Sequence, residues 1–141
     1  MIYTSYYGNL KKIRATVGLH TVAISQGVPR WYGKGERMEK RLAPSRAMLK
    51  GTGEEYDIAY AALLAALDPR MLYEAIGDGG VMLCWEKPGD KCHRRWVAEW
   101  FEGSLGVVVP EFGIERSLTK SYAEMPRKPK PPGGAPEILL F

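Results

Sequence analysis

Two short runs hold the side chains best suited to chemistry, Cys84-Trp85-Glu86 and Cys92-His93-Arg94. Within eleven positions they gather two thiols, a carboxylate, an imidazole and a guanidinium. Three chemistries compete for them. A cysteine at a helix start beside His93 and Arg94 has the features that lower a thiol pKa, which makes Cys92 a candidate nucleophile. Cys84, Cys92 and His93 together could ligate a metal with a fourth position open. The amides of a helix starting at Cys92, with Arg94, could hold a phosphate or carboxylate, leaving Glu86 as acid/base or as a partner that orients Arg94. No CxxC pair is present, and adjacent residues such as Cys92 and His93 rarely point the same way at a helix start. The expectation is therefore no bound metal and no cofactor. Each residue also has a plain structural reading: Cys84 as a small core residue of an apolar strand, Cys92 and His93 as helix caps, Arg94 and Arg95 as a solvated face.

A second feature is the stretch Pro29–Lys50. It carries Arg30, Lys34, Arg37, Lys40, Arg41, Arg46 and Lys50 against Glu36 and Glu39, a net charge of +5. Trp31 and Tyr32 lie within it, and aromatic groups between cations suit stacking on a base while the cations meet phosphates. The competing reading is an ordinary solvated loop whose Trp31 plugs the core.

The elements that must position these groups follow from periodicity. Ile2–Tyr7 reads as a strand ending at the Gly8-Asn9 turn, and Leu10–Thr16 as a short helix stopped by Gly18. His20–Ser25 is a second strand, which makes a compact βαβ unit. The pattern breaks from Val28 to Gly51, where Pro29, Gly33, Gly35 and Pro44 interrupt any period. Thr52 followed by Glu55 is a capping-box pattern that opens a helix to Leu67, apolar nearly all round and so expected to be well buried. Asp68-Pro69 starts another helix ending near Gly77. Val81–Trp85 is continuously apolar, as suits an inner strand. Cys92–Phe101 is an amphipathic helix with Trp96, Val97, Trp100 and Phe101 on its inner stripe and His93 and Arg94 in an exposed first turn. Val107–Val109 could form a last strand. Met125–Pro136 holds five prolines and three basic residues and should be extended. Alternating strands and helices argue for an α/β fold, a three-layer sandwich around a mainly parallel sheet, Rossmann-like, with a long basic loop and a Pro-rich C-terminal tail. One α/β domain over 1–111 and a C-terminal extension over 112–141 is the expected organisation. In such sheets ligands bind beyond the carboxyl ends of the strands, where both reactive runs fall.

Composition narrows the class. The 141 residues are enough for one core, and 45% are hydrophobic, as in an ordinary globular chain. A net charge of +4 favours anionic partners, nucleotides or nucleic acid first. The N-terminal residues lack a signal-peptide pattern, and the longest apolar run, Ile58–Leu67, is too short to span a bilayer. Two cysteines without an export signal lead to the expectation of reduced thiols in the cytoplasm and no membrane partner. P-loop, GxSxG, HExxH and HxE…PCxxC patterns are absent.

Several short stretches together resemble the domain-of-unknown-function family 488. They are Tyr3-Thr4-Ser5-Tyr6 with Gly8-Asn9; Ile24-Ser25 with Gly27, Pro29 and Trp31; Leu42-Ala43-Pro44; and Leu83–Gly89 with Cys92-His93-Arg94-Arg95. The likeness runs from about Ile2 to Glu111, and LCWEKPGDKCHRR is its most specific part. Many members carry Asp-Val-Arg on the second strand, where this chain has Val22-Ala23-Ile24-Ser25. The resemblance implies a cytosolic prokaryotic or phage protein with an α/β fold and a shared polar site, and it names no substrate. Glu86, Cys92, His93 and Arg94 are the catalytic candidates. Ser5, Tyr6, Asn9, Ser25, Arg30, Trp31, Tyr32 and Arg95 are the ligand-binding candidates. The leading expectation is an enzyme acting on a nucleotide or on a base in nucleic acid, with Cys92, His93, Glu86 and Arg94 around the reacting group. The alternative is a non-catalytic module binding nucleotide or nucleic acid through residues 29–50.

Overall fold

A computed structural model describes residues 1–33 and 36–127, and the Pro-rich tail from 128 onward lies outside them. Three short strands, β1 (Tyr3–Tyr6), β2 (His20–Ala23) and β3 (Gly80–Cys84), form one parallel sheet in the order β1-β3-β2. Tyr3 pairs with Val81 and Tyr6 with Cys84 on one side of β3; His20 pairs with Gly80 and Ala23 with Leu83 on the other. The three segments read as strands thus share a sheet. The first two are not adjacent, however, because the continuously apolar β3 lies between them. That placement follows from burial: every residue of β3 is buried, which only the central position of a covered sheet provides.

Both outer strands are protected by single bridges. Glu111 bridges to Thr4, with Thr4 N–H donating to the Pro110 carbonyl and Phe112 N–H to that of Thr4; Met38 bridges to Ala23 in the same way on the far edge. These contacts satisfy backbone groups that an open edge would expose. Val107–Val109 was expected as a strand and is not one. Its place at the sheet edge is taken by the next residues, with Glu102 accepting from Val109 N–H at 3.0 Å.

Side chains alternate across the sheet. Val22, Ile24 and Met82 enter one apolar cluster with Tyr60, Leu64, Leu72, Ile76, Val97, Ala98 and Phe101, whereas Ala23, Val81 and Leu83 enter another with Tyr7, Leu10, Ile13 and Tyr32. The first cluster is supplied by helices α3 (Gly53–Ala65), α4 (Pro69–Ile76) and α5 (His93–Leu105); the second includes α1 (Leu10–Arg14). Short α2 (Arg46–Lys50) precedes α3. The capping box at Thr52 and Glu55 is formed, and Asp68 accepts from the amides of Arg70 and Met71 ahead of Pro69. Contrary to expectation, α3 is buried along one side only. Tyr60 and Leu64 face inward, while Ile58 is 66% exposed. Its alanines favour helix wherever they point, so an all-round apolar sequence did not require all-round burial.

Gly79 lets β2 and β3 start side by side. It adopts φ +84°, and a Cβ there would stand 2.1 Å from the Gly18 carbonyl oxygen. Among the described residues no helix is long and apolar enough to cross a membrane.

Candidate functional site

Cys84 ends β3 and Cys92 is the N-cap of α5, with extended backbone at φ −144°, ψ 144°. The intervening turn folds back so that the two sulfurs are joined as a disulfide, with Cα atoms 7.2 Å apart. The expectation of two separate reduced thiols is thereby corrected. Parallel strand and following helix bring residues eight positions apart to the same point above the sheet.

His93 completes the cluster. Its Nδ1 lies 3.5 Å from Cys84 Sγ and 3.7 Å from Cys92 Sγ. Its Nε2 is 2.6 Å from the Ile24 carbonyl oxygen, an acceptor, so Nε2 carries the proton and Nδ1 presents a lone pair to the sulfurs. All three residues are buried. Burial pushes the imidazole pKa down to about 4, against the bond to Ile24 that favours its charged form, so the ring is neutral at pH 7. The edge-on Tyr60 ring, 5.4 Å away between centroids, closes the apolar side. Two sequence-based arguments fail here. Cys92 and His93 do point the same way, because the N-cap and first helical residue differ in backbone conformation. Nor is His93 exposed: the first turn of α5 packs onto the sheet. The three side chains are a group that can hold a metal ion, with all ligand atoms within 4.8 Å of one another.

Arg94 is also buried rather than solvated, at 2% exposure. Its Nε and Nη2 donate to the two carboxylate oxygens of Glu111, each at 3.1 Å, and Nη1 donates to the Glu86 carbonyl. Thr4 donates to the same carboxylate at 2.8 Å. This bidentate pair welds α5 to β1 and to the segment after α5. Arg94 therefore acts first as a structural clamp. Glu86 meets it through its backbone oxygen.

Arg95 reaches along α5 to Glu102 at 3.0 Å, which also takes two bonds from Arg116. Arg95 Nε and Nη1 have no partner among the described residues, and burial draws its pKa down. A cavity of about 230 Å³ lies beside this turn, with Cys92, Arg94, Arg95, Asp90, Glu111 and Lys120 among its walls. Neither Cys84 nor His93 reaches its wall, so Cys92 is the member of the cluster that a ligand would meet.

The remaining candidates lie elsewhere. Ser5 is buried and accepts from Asn9 at 3.1 Å; Ser25 donates to the Gly27 carbonyl at 2.6 Å and lies 2.5 Å from the Tyr7 hydroxyl. Tyr6 is half-buried, and its ring packs over Gly8. Tyr32 is buried and donates to the Arg37 carbonyl at 2.6 Å. It is this residue, not Trp31, that plugs the core: Trp31 is 55% exposed, its ring edge-on to Tyr7. Arg30 is exposed. None of the described residues between 29 and 50 lines the cavity. Several of its cations are tied to the fold, Arg37 on the carbonyls of Ala75 and Ile76 that end α4, and Arg41 on Glu39.

Sequence reasoning missed Glu111, Tyr7 and Tyr60. No local pattern signals Glu111, which meets Arg94 only through the fold. Comparison with family models, curated proteins and solved structures finds no significant match for this chain.

Proposed function

We propose that this chain is an enzyme centred on Cys84, Cys92 and His93, taking an anionic substrate of nucleotide class into the cavity beside Cys92. One observation carries the reading: Cys92 is at once part of the buried Cys-Cys-His cluster and part of the wall of a cavity edged by Arg95, Lys120, Asp90 and the Arg94–Glu111 pair. With the disulfide reduced, Cys92 supplies a thiol at the N-terminus of α5, where the helix dipole favours a thiolate. The lone pair of His93 Nδ1 lies 3.7 Å from the Cys92 sulfur and can accept a hydrogen bond from its thiol, which orients the sulfur. Cys84, behind it, is the sulfur that closes the pair when the site is oxidised. The cavity is smaller than a typical pocket for a whole ligand, which suits a phosphate or a base with the rest of the molecule outside. The net positive charge supports an anionic substrate, and membership of family 488, a three-layer Rossmann-like arrangement and a cytoplasmic site of action belong to the same proposal.

The exposed Trp31 beside Arg30 favours a second reading, a module that stacks a base without acting on it. Reduced protein incubated with mononucleotides and short oligonucleotides separates the two. The enzyme reading expects thermal stabilisation by at least one of them, and a change in that compound that Cys92→Ser abolishes. Stabilisation without turnover, weakened by Trp31→Ala and unaffected by Cys92→Ser, would replace it with the module. No stabilisation by any of them would remove the nucleotide class.

A further inference from the structure

We infer that the reduced protein binds one thiophilic divalent cation of the zinc class through Cys84 Sγ, Cys92 Sγ and His93 Nδ1. The distances carry the inference. Zinc–sulfur bonds of about 2.3 Å and zinc–nitrogen bonds of about 2.0–2.1 Å, set at the tetrahedral angle, separate sulfur from nitrogen by roughly 3.6 Å. His93 Nδ1 lies 3.5 and 3.7 Å from the two sulfurs. The nitrogen is already at ligand spacing from both, and only the sulfurs must part. Their Cα atoms stand 7.2 Å apart, wider than the roughly 4.4–6.8 Å usual for a disulfide, so the backbone already leaves room between them.

The surroundings match those of a metal site. A ligating histidine characteristically donates its other ring N–H to a carboxylate or backbone carbonyl, which fixes the tautomer, and His93 does this to Ile24. The donor set is two thiolates and one imidazole, soft enough to select zinc over magnesium or calcium. Three protein ligands leave one position for water or substrate, and Cys92 borders the cavity.

Metal and disulfide compete for the same sulfurs. Reduction by an added dithiol moves two electrons into the S–S bond, and the dithiol ends as its own disulfide. Deprotonation then releases two protons from the thiols as the cation enters. The site shares its residues with the proposed enzyme but needs no substrate, and a bound cation would remove Cys92 as a free nucleophile.

The test is titration of the reduced full-length chain with Co²⁺, then Zn²⁺, without free thiol. One equivalent of Co²⁺ should bind with thiolate-to-metal charge-transfer absorption, and Zn²⁺ should displace it. Cys92→Ser and His93→Gln should each weaken binding by about 100-fold or more, beyond the loss expected from an outer partner. Because either variant could fold poorly, the oxidised wild-type protein is the control: folded, with both sulfurs engaged, it should take up no Co²⁺. No charge-transfer band in reduced protein, or equal binding by the oxidised form, would overturn the inference. If reduced protein gives no charge-transfer band yet turns over a nucleotide in a Cys92-dependent way, the metal site fails and the enzyme reading stands.

Discussion

The guanidinium of Arg94 faces both carboxylate oxygens of Glu111 at 3.1 Å, with both side chains almost wholly out of water. Removing one partner of such a pair strands a charge in the interior. Arg94→Ala should therefore cost about 3–5 kcal/mol, measured by urea unfolding at neutral pH. The double variant Arg94→Met/Glu111→Leu should recover much of that loss, since a packed apolar pair has no charge to desolvate. An unchanged midpoint for Arg94→Ala would mean that the clamp is not formed in solution.

Reduction should also be felt in stability. The Cys84–Cys92 bond joins residues eight apart, and closing a loop of that size restricts the unfolded chain by about 2–3 kcal/mol. Unfolding curves with and without reductant should differ by roughly that amount. Coincident curves would show that the pair is already reduced in the protein as purified.

The basic loop divides by role. Arg37 donates to the carbonyls of Ala75 and Ile76 at the end of α4, so Arg37→Ala should lower stability by about 1 kcal/mol while leaving any oligonucleotide affinity nearly intact. Trp31→Ala should do the reverse, costing about 1–3 kcal/mol of binding if a base stacks there. Titrations at two salt concentrations separate stacking from phosphate contacts. Equal effects of both substitutions on binding would erase the division.

How far the sequence could be read depended on range. Thr52 with Glu55 and Asp68 with Pro69 act within one turn, and both caps are formed as their spacing implies. The unbroken apolar run of β3 foretold an inner strand. That β1 and β2 would each pair with β3 and not with one another is a long-range outcome, and no short window holds the pairing. The polar site divides along the same line. Cys84, Cys92 and His93 were legible as a group because one strand–turn–helix connection carries them. Arg94 was misplaced because its partner, Glu111, lies seventeen residues on, so its charge read as solvent-facing. Trp31 and Tyr32 illustrate the limit at its smallest: two adjacent aromatics, of which only the fold decides that Tyr32 goes inside.

The most direct measurement is the alkylation rate of each cysteine in reduced, metal-free, folded protein, followed by mass spectrometry with iodoacetamide. Cys92 borders the cavity and begins α5, whereas Cys84 ends an enclosed strand. Cys92 should be modified first, with Cys84 protected until denaturant is added, and His93→Gln should slow the reaction at Cys92. Modification of Cys84 first, or equal inertness of both thiols until the protein unfolds, would contradict a reaction centre at Cys92.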